Sequence, residues 1–202
     1  MDDYHFSPLP HERETEPVAT PRSGAAKSFL REVLETVVLA GLIFALINLV
    51  SVRVQVESIS MQPTLYAGEF VLVNKLAYKF GEPQRGDIIV FEQTFDPEEP
   101  YIKRIIGLPG DTVEIRGGRV YVNGNLLHEP YIKDSPRYED SWVVPEGQLF
   151  VLGDNRNTSS DSHIWGFVSL DQVIGRAEAV YWPVSEWELL NHPYASAADD
   201  GQ

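Results

Sequence analysis

The sequence contains no cysteine. That absence removes disulfides, thiolate nucleophiles and cysteine-ligated zinc from consideration. It is compatible with an oxidising compartment without requiring one. Basic charge is scarce as well: 16 Lys+Arg stand against 30 Asp+Glu in 202 residues, a formal net charge of −14. From residue 51 onward the counts are 12 and 23, so the excess of acid lies in the part of the chain able to fold. Binding to nucleic acid needs a basic face to displace counterions, and the composition offers none. No internal repeat of solenoid period is visible. Long apolar runs are missing too, with one exception.

The exception is residues 33–50, VLETVVLAGLIFALINLV. About 18 apolar residues is the lower limit for a helix that crosses a bilayer. Glu35 and Thr36 weaken its first turn, and Asn48 lies near its far end. A cleaved signal peptide, a buried core helix and an uncleaved anchor compete for this stretch. A cleaved signal starts near the N-terminus, whereas a long polar segment precedes this run. A core helix shows a polar face, and Val37–Ile47 shows none. The pattern therefore predicts an anchor, placed at residues 29–51. Arg22, Lys27 and Arg31 precede it and only Arg53 closely follows. That bias predicts a single-pass protein with its N-terminus in the cytoplasm and the rest across the membrane. Residues 1–28, with Pro8, Pro10, Pro17 and Pro21 among many charges, read as a disordered cytoplasmic tail.

Beyond the anchor the period changes to two. Val52, Val54 and Val56 alternate with Arg53, Gln55 and Glu57. Short apolar runs follow at 70–75, 87–91, 101–106, 112–116, 119–124, 148–153 and 176–182, separated by turn residues. Gly117-Gly118 and Asn123-Gly124 read as tight turns. Short helices are expected at most near 75–80 and 170–173. The class is all-β, a coiled antiparallel or barrel-like sheet occupying residues 52–183. Residues 184–202 read as a flexible C-terminal tail.

Ser60, in the stretch ESISMQPTL at 57–65, is the candidate nucleophile. A serine hydroxyl reacts only when a base takes its proton. Taken alone, Ser60 is an ordinary turn serine. Ser58 has the same parity along an extended segment, so one hydroxyl could attack while the other stabilises an oxyanion. The histidines supply no obvious base. Ser159, Asp161 and His163 stand at alternate positions and would line one face of a strand. A working triad needs the base between nucleophile and carboxylate in space, so this row reads as supporting. Lys103, third in the apolar strand YIKRII, is the more interesting candidate base, although a sheet with one solvated face would expose it harmlessly. If its face is buried, desolvation disfavours the ammonium, and an unperturbed pKa of about 10.4 can fall by roughly 3–5 units. Ser–Lys pairs are an established variant of triad chemistry. In GDNRNTSSDSHIWG at 153–166, Asp154, Arg156 and Asp161 could pair with one another. RGDIIVF at 85–91 reads as a turn leading into a buried strand.

Four segments, SMQPTL (60–65), RGDIIVF (85–91), YIKRIIGLPGD (101–111) and GDNRNTSSDSHIWG (153–166), follow an N-terminal anchor in this order. Over roughly residues 35–182 the chain resembles the type I signal peptidases, the bacterial leader peptidases. The resemblance implies a catalytic β domain carrying a small accessory β insert at about 113–148. It implies Ser60 as nucleophile and Lys103 as general base. Ser58 would join the Ser60 backbone N–H in the oxyanion hole, Ser159 would hydrogen-bond the Lys103 amine, and Asp161 would hold the loop. Some members carry arginine where this chain has His163, so the partnership with Asp161 becomes conditional on imidazole protonation. The implied activity is cleavage of signal peptides from secreted preproteins after small residues in an A-x-A-like pattern, with no metal or cofactor. The expected partners are signal-peptide-bearing preproteins, membrane lipid and the secretory translocon, with no nucleic acid. The expected location is a bacterial-type plasma membrane, with the catalytic domain on its outer face. Two rival classes are a self-cleaving Ser/Lys regulator of related fold and a non-catalytic membrane-tethered binding module.

Overall fold

The computed structural model of the chain describes residues 23–93 and 96–190. The chain divides into two units between Phe44 and Ala45. Helix α1 runs Ser23–Val50 and crosses that boundary. Its segment Ser28–Val50 has a mean hydropathy of 2.4 and is not buried by the rest of the protein. Among the described residues it is the one helix long and apolar enough to cross a membrane. Large apolar side chains from Phe29 to Leu49 lie exposed on every side, as a lipid-facing helix requires. The polar residues that weaken the run find partners within it. Arg31 pairs with Glu35 at 2.7 Å, and the Thr36 hydroxyl donates to the Glu32 carbonyl at 2.8 Å. The helix begins earlier than the predicted boundary at 29. Ala25, Ala26 and Lys27 favour helix, and the last upstream proline is Pro21. Residues 1–22 of the predicted tail lie outside the described residues.

The second unit is built from antiparallel strands. Strands β1 (Ser51–Gln55), β2 (Phe70–Asn74), β3 (Ile88–Gln93), β4 (Asp96–Gly107), β9 (Gln148–Leu152), β10 (Val168–Ser169) and β11 (Val173–Trp182) form one sheet in the order β1-β2-β11-β3-β4-β9-β10. Strand β12 (Glu188–Leu189) pairs with β11. A smaller sheet, β7-β6-β5-β8, is made by β5 (Thr112–Arg116), β6 (Arg119–Val122), β7 (Asn125–Leu126) and β8 (Asp140–Val143). It is inserted between β4 and β9. The turns that shape it are the two read from the sequence: Gly117 and Gly118 have φ of 55° and 69°, and Asn123 and Gly124 have 51° and 80°. Two successive positive φ values suit the twist of a two-residue hairpin and favour Gly and Asn there. Strands β7, β10 and β12 escape the sequence pattern because each has only two residues, and β8, DSWV, because it carries no apolar run.

Short helices form at α2 (Ala77–Phe80) and α3 (Ser162–Trp165), and Leu170–Gln172 makes one 3₁₀ turn. The predicted C-terminal tail starts too early. Residues 184–190 add a 3₁₀ turn and β12, and Leu190 is buried in one apolar cluster with Val54 and Val71, its N–H bonded to the Glu178 carbonyl at 2.9 Å. The alternation of Trp187 and Leu189 with acidic residues is too brief to signal a strand by itself. Residues 191–202 lie outside the described residues.

Three apolar clusters hold this unit together. One joins Val54, Val56, Met61, Val71, Val73 and Ile102. A second underlies the small sheet through Ile106, Val113, Ile115 and Phe150. The third gathers Ile89, Phe91, Ile105 and Val151. Strand β4 feeds all three, so both of its faces are covered. That double burial decides the fate of the two cations at its centre.

Candidate active site

Ser60 sits in the turn after β1. The Gln62 N–H bonds to the Ile59 carbonyl at 3.2 Å and the Leu65 N–H to the Met61 carbonyl at 2.9 Å. Met61 and Leu65 are driven into the first core, with 1% and 0% exposure, and this anchors the turn on the C-terminal side of the serine. The loop after β9 clamps it from across the sheet. Asn155 donates its backbone N–H to the Ser60 carbonyl at 3.0 Å and its side-chain amide to the Ile59 carbonyl at 3.2 Å. The two segments approach so closely that a Cβ on Gly153 would lie 2.4 Å from the Ser60 carbonyl oxygen and 2.3 Å from Ser159 Oγ. Only glycine fits there.

Lys103 lies in the middle of β4, opposite Ile89 of β3. Its Nζ is 2.9 Å from Ser60 Oγ and 2.9 Å from the Ile102 carbonyl oxygen. The side chain is 3% exposed, and the Tyr101 ring centroid lies 5.6 Å from the amine. Among the described residues it makes no ion pair. Burial lowers the amine from its ordinary 10.5 to about 8, although the charges of Asp161 and Asp154 pull the other way. At pH 7 about one amine in ten is then neutral, against fewer than one in a thousand for a solvated lysine. In the neutral state the Nζ lone pair accepts the Ser60 O–H, and one amine N–H donates to the Ile102 carbonyl.

Ser58 is exposed, and its Oγ lies 3.0 Å from Ser60 Oγ. The parity argument holds for this pair even though the strand ends at Gln55. A groove of about 600 Å³ opens beside the pair, bounded on one side by residues 52–61 and on the other by 99–103.

The 153–166 loop departs from expectation in three respects. Ser159, Asp161 and His163 do not line a strand. The chain turns after Leu152, and Asp161 caps the short helix α3 instead. Polar residues at alternate positions satisfied the strand pattern, but Gly153 and the local bonds of Asp161 override it. Ser159 does not bond the Lys103 amine: its Oγ is buried and has no hydrogen-bond partner among the described residues. Asp154, Arg156 and Asp161 do not pair with one another. Asp154 takes a two-pronged bond from Arg104, at 2.8 and 2.7 Å, and also accepts from the Thr64 hydroxyl at 2.5 Å. Arg156 grips both carboxylate oxygens of Glu129. Asp161 accepts from the Gly153 N–H at 2.9 Å and meets His163 Nδ1 at 2.5 Å.

Arg104, Glu129 and Tyr138 carry structure here that the sequence did not reveal. Arg104 is 1% exposed, bonded to the Gly86 carbonyl at 2.8 Å and stacked 4.0 Å from the Tyr131 ring centroid. A lone arginine in an apolar strand was the available signal. Tyr138 stacks flat on His163 at 3.9 Å and 8°. RGDIIVF behaves as read: Asp87 is buried and closes the turn, accepting from Tyr78 and from the Gln84 N–H ahead of β3. Among the described residues no group of three or more His, Asp or Glu could hold a metal ion.

Residues 30–182 match the family described as signal peptidase, peptidase S26. The chain belongs to that family. It is 40% identical over 204 residues to signal peptidase I of Leptolyngbya laminosa, covering 96% of this chain and 98% of that protein. A probable signal peptidase I-1 of a Synechocystis strain is 47% identical over 143 residues, 67% of this chain and 73% of that protein. Signal peptidase IB of Staphylococcus aureus is 34% identical over 186 residues, 81% of this chain and 96% of that protein. A crystal structure of signal peptidase I from Enterococcus faecalis V583 is 38% identical and superposes with a TM-score of 0.44, covering 47% of this chain and 96% of that one.

Proposed function

We propose that this family member removes signal peptides from preproteins by a dyad in which Ser60 is the nucleophile and Lys103 the general base. One observation carries the assignment: a serine hydroxyl 2.9 Å from a buried amine that has no carboxylate partner within ion-pair reach among the described residues. Lys103 takes the Ser60 proton as Oγ attacks the scissile carbonyl carbon. The developing oxyanion forms beside Oγ, where the Ser58 hydroxyl stands ready to donate along with the Ser60 N–H. Collapse of the tetrahedral intermediate breaks the peptide bond, and the protonated Lys103 gives its proton to the leaving amine. Water then attacks the acyl-serine, with Lys103 again the base, and Ser60 is restored.

An extended substrate would enter the groove between 52–61 and 99–103 by strand addition, presenting small side chains at the cut. The apolar helix keeps the enzyme in the membrane, the surface on which preproteins arrive, and so raises their effective concentration. The charge bias around that helix supports a single-pass arrangement, with the N-terminus cytoplasmic and the catalytic domain on the outer face. Membrane lipid and the secretory translocon are the natural neighbours of such an enzyme. The test is cleavage of an Ala-x-Ala peptide by the purified full-length protein in detergent. Wild type cleaves, whereas Ser60→Ala and Lys103→Ala do not. Equal cleavage by either variant removes that residue from the mechanism.

A further inference from the structure

Ala-x-Ala, the pattern expected ahead of a signal-peptide cut, occurs twice in this chain. One copy is Ala177-Glu178-Ala179 in β11. Its alanines are buried, at 0% and 7% exposure, and paired with Val73 and Leu72 of β2. Ala179 also pairs with Leu189 of β12. A protease that takes its substrate as an added strand cannot use a strand already paired within its own sheet. The other copy is Ala195-Ser196-Ala197, beyond Leu190, the last of the described residues. Ala195 and Ala197 have the same parity in an extended segment, and Ala198 follows them, so no bulky side chain stands next to the bond after Ala197. Pro193, two positions upstream, disfavours helix at the residue before it.

The groove beside Ser60 and Lys103 suits such a segment. Its walls are residues 52–61 and 99–103. Each offers an unused strand edge among the described residues: β1 pairs with β2 alone, and β4 from Tyr101 to Lys103 pairs with β3 alone.

We propose that the enzyme trims its own C-terminal segment between Ala197 and Ala198, one copy cutting another. The proposal rests on the Ser60–Lys103 protease reading and extends its substrates to a second copy of this chain. Ser60 Oγ bonds to the Ala197 carbonyl carbon, the Ala197–Ala198 peptide bond breaks, and the Ala198 amine leaves with the proton that Lys103 took from Ser60. Water then hydrolyses the acyl-serine, which frees the Ala197 carboxylate and restores Ser60.

Transfer between copies follows from where the segment starts. Leu190 lines a second pocket, of about 320 Å³, with Arg104, Thr64 and Tyr131. Arg104 points to the face of β4 opposite Lys103. The seven residues from Leu190 to Ala197 span at most about 25 Å. That length would have to round the sheet and still lie extended through the groove up to the cut. A neighbouring copy has no such constraint, and anchoring in one membrane keeps copies concentrated beside each other.

The test takes full-length Ser60→Ala protein in detergent as substrate and a catalytic amount of full-length wild type as enzyme, read by intact-mass spectrometry. Ser60→Ala alone keeps its mass. With wild type it loses the residues after Ala197. Adding Ala197→Phe to the Ser60→Ala substrate slows that loss at least about tenfold. Ala197→Phe by itself still cleaves an Ala-x-Ala peptide as wild type does. A Ser60→Ala protein that stays intact while the same wild type cleaves the peptide overturns the proposal. So does trimming of Ser60→Ala without wild type, which assigns the cut to another activity, and so does undiminished trimming of the Ala197→Phe substrate. Trimming of wild type with Ser60→Ala left untouched overturns the transfer between copies. Failure of wild type to cleave the peptide overturns instead the protease reading on which the proposal stands.

Discussion

Lys103 and Arg104 are neighbours in β4, point to opposite faces, and are both almost fully buried, at 3% and 1% exposure. Their surroundings treat them oppositely. Arg104 meets a carboxylate, a carbonyl and an aromatic face, so its charge is matched and retained. Lys103 meets a hydroxyl, one carbonyl and apolar walls, so its charge is discouraged. The same strand thus carries a paired cation on one face and, on the other, the amine proposed as general base. The lesson is that burial alone does not make a base. Burial without a countercharge does, and only in a side chain able to lose its proton.

The comparison can be broken at several points. The largest effect is expected at the dyad. Ser60→Ala, Lys103→Ala and also Lys103→Arg should each lower kcat at least about 10³- to 10⁴-fold in a peptide-cleavage assay. Arginine keeps the charge and cannot accept the proton, so activity in Lys103→Arg would show that the amine is not the base. On the other face, Asp154→Ala strands the Arg104 guanidinium and should cost about 3–5 kcal/mol in chemical denaturation. A cost below 1 kcal/mol would mean that water reaches Arg104. Ser58→Ala should lower kcat about 100-fold with little change in KM, since the hydroxyl is proposed to act only on the oxyanion. An equal loss in KM would assign Ser58 to substrate binding instead.

The smallest effect runs in the stabilising direction. The folded protein disfavours the Lys103 ammonium, so the unfolded chain binds the extra proton between about pH 8 and 10.5. This penalty is fully present below that window and fades as pH rises through it. Lys103→Met should therefore stabilise the fold at neutral pH by about 2–3 kcal/mol while abolishing cleavage, and the gain should vanish above about pH 10. Loss of stability at neutral pH would indicate that the amine is well solvated or well paired.

The legible part of this molecule was local. Period-two alternation marked β1, β5 and β6, short apolar runs marked β2, β3, β4, β9 and β11, and Gly-Gly and Asn-Gly marked the hairpin turns of the inserted sheet. Ser60 and Lys103, the proposed nucleophile and base, were singled out by the family resemblance and by the prospect that a lysine inside YIKRII would be desolvated if its face were buried. The 2.9 Å contact between them joins positions 43 apart, which no local pattern specifies. What escaped depended on contacts distant in sequence. Strand parity puts Arg104 on the face opposite Lys103, but nothing local shows that a loop 50 positions later brings Asp154 to it. Glu129 and Tyr138 sit in an irregular segment whose course no periodicity specifies, yet they meet Arg156 and His163. The alternation Ser159, Asp161, His163 misled because a helix cap and a strand face both place polar groups at such spacing. The family resemblance led to Ser159 as a partner of the amine. The geometry gives Lys103 the Ile102 carbonyl instead, supplied by its own strand.

The central claim is that the amine of Lys103 is largely deprotonated at mildly alkaline pH while still beside Ser60. Following the side-chain NMR signal of ¹³C-labelled Lys103 across pH 5–12 in the full-length protein tests it directly. A single lysine resonance titrating near pH 8, assigned by its disappearance in Lys103→Met, is the expected result. Titration of that resonance at the ordinary value of about 10.4 would contradict it.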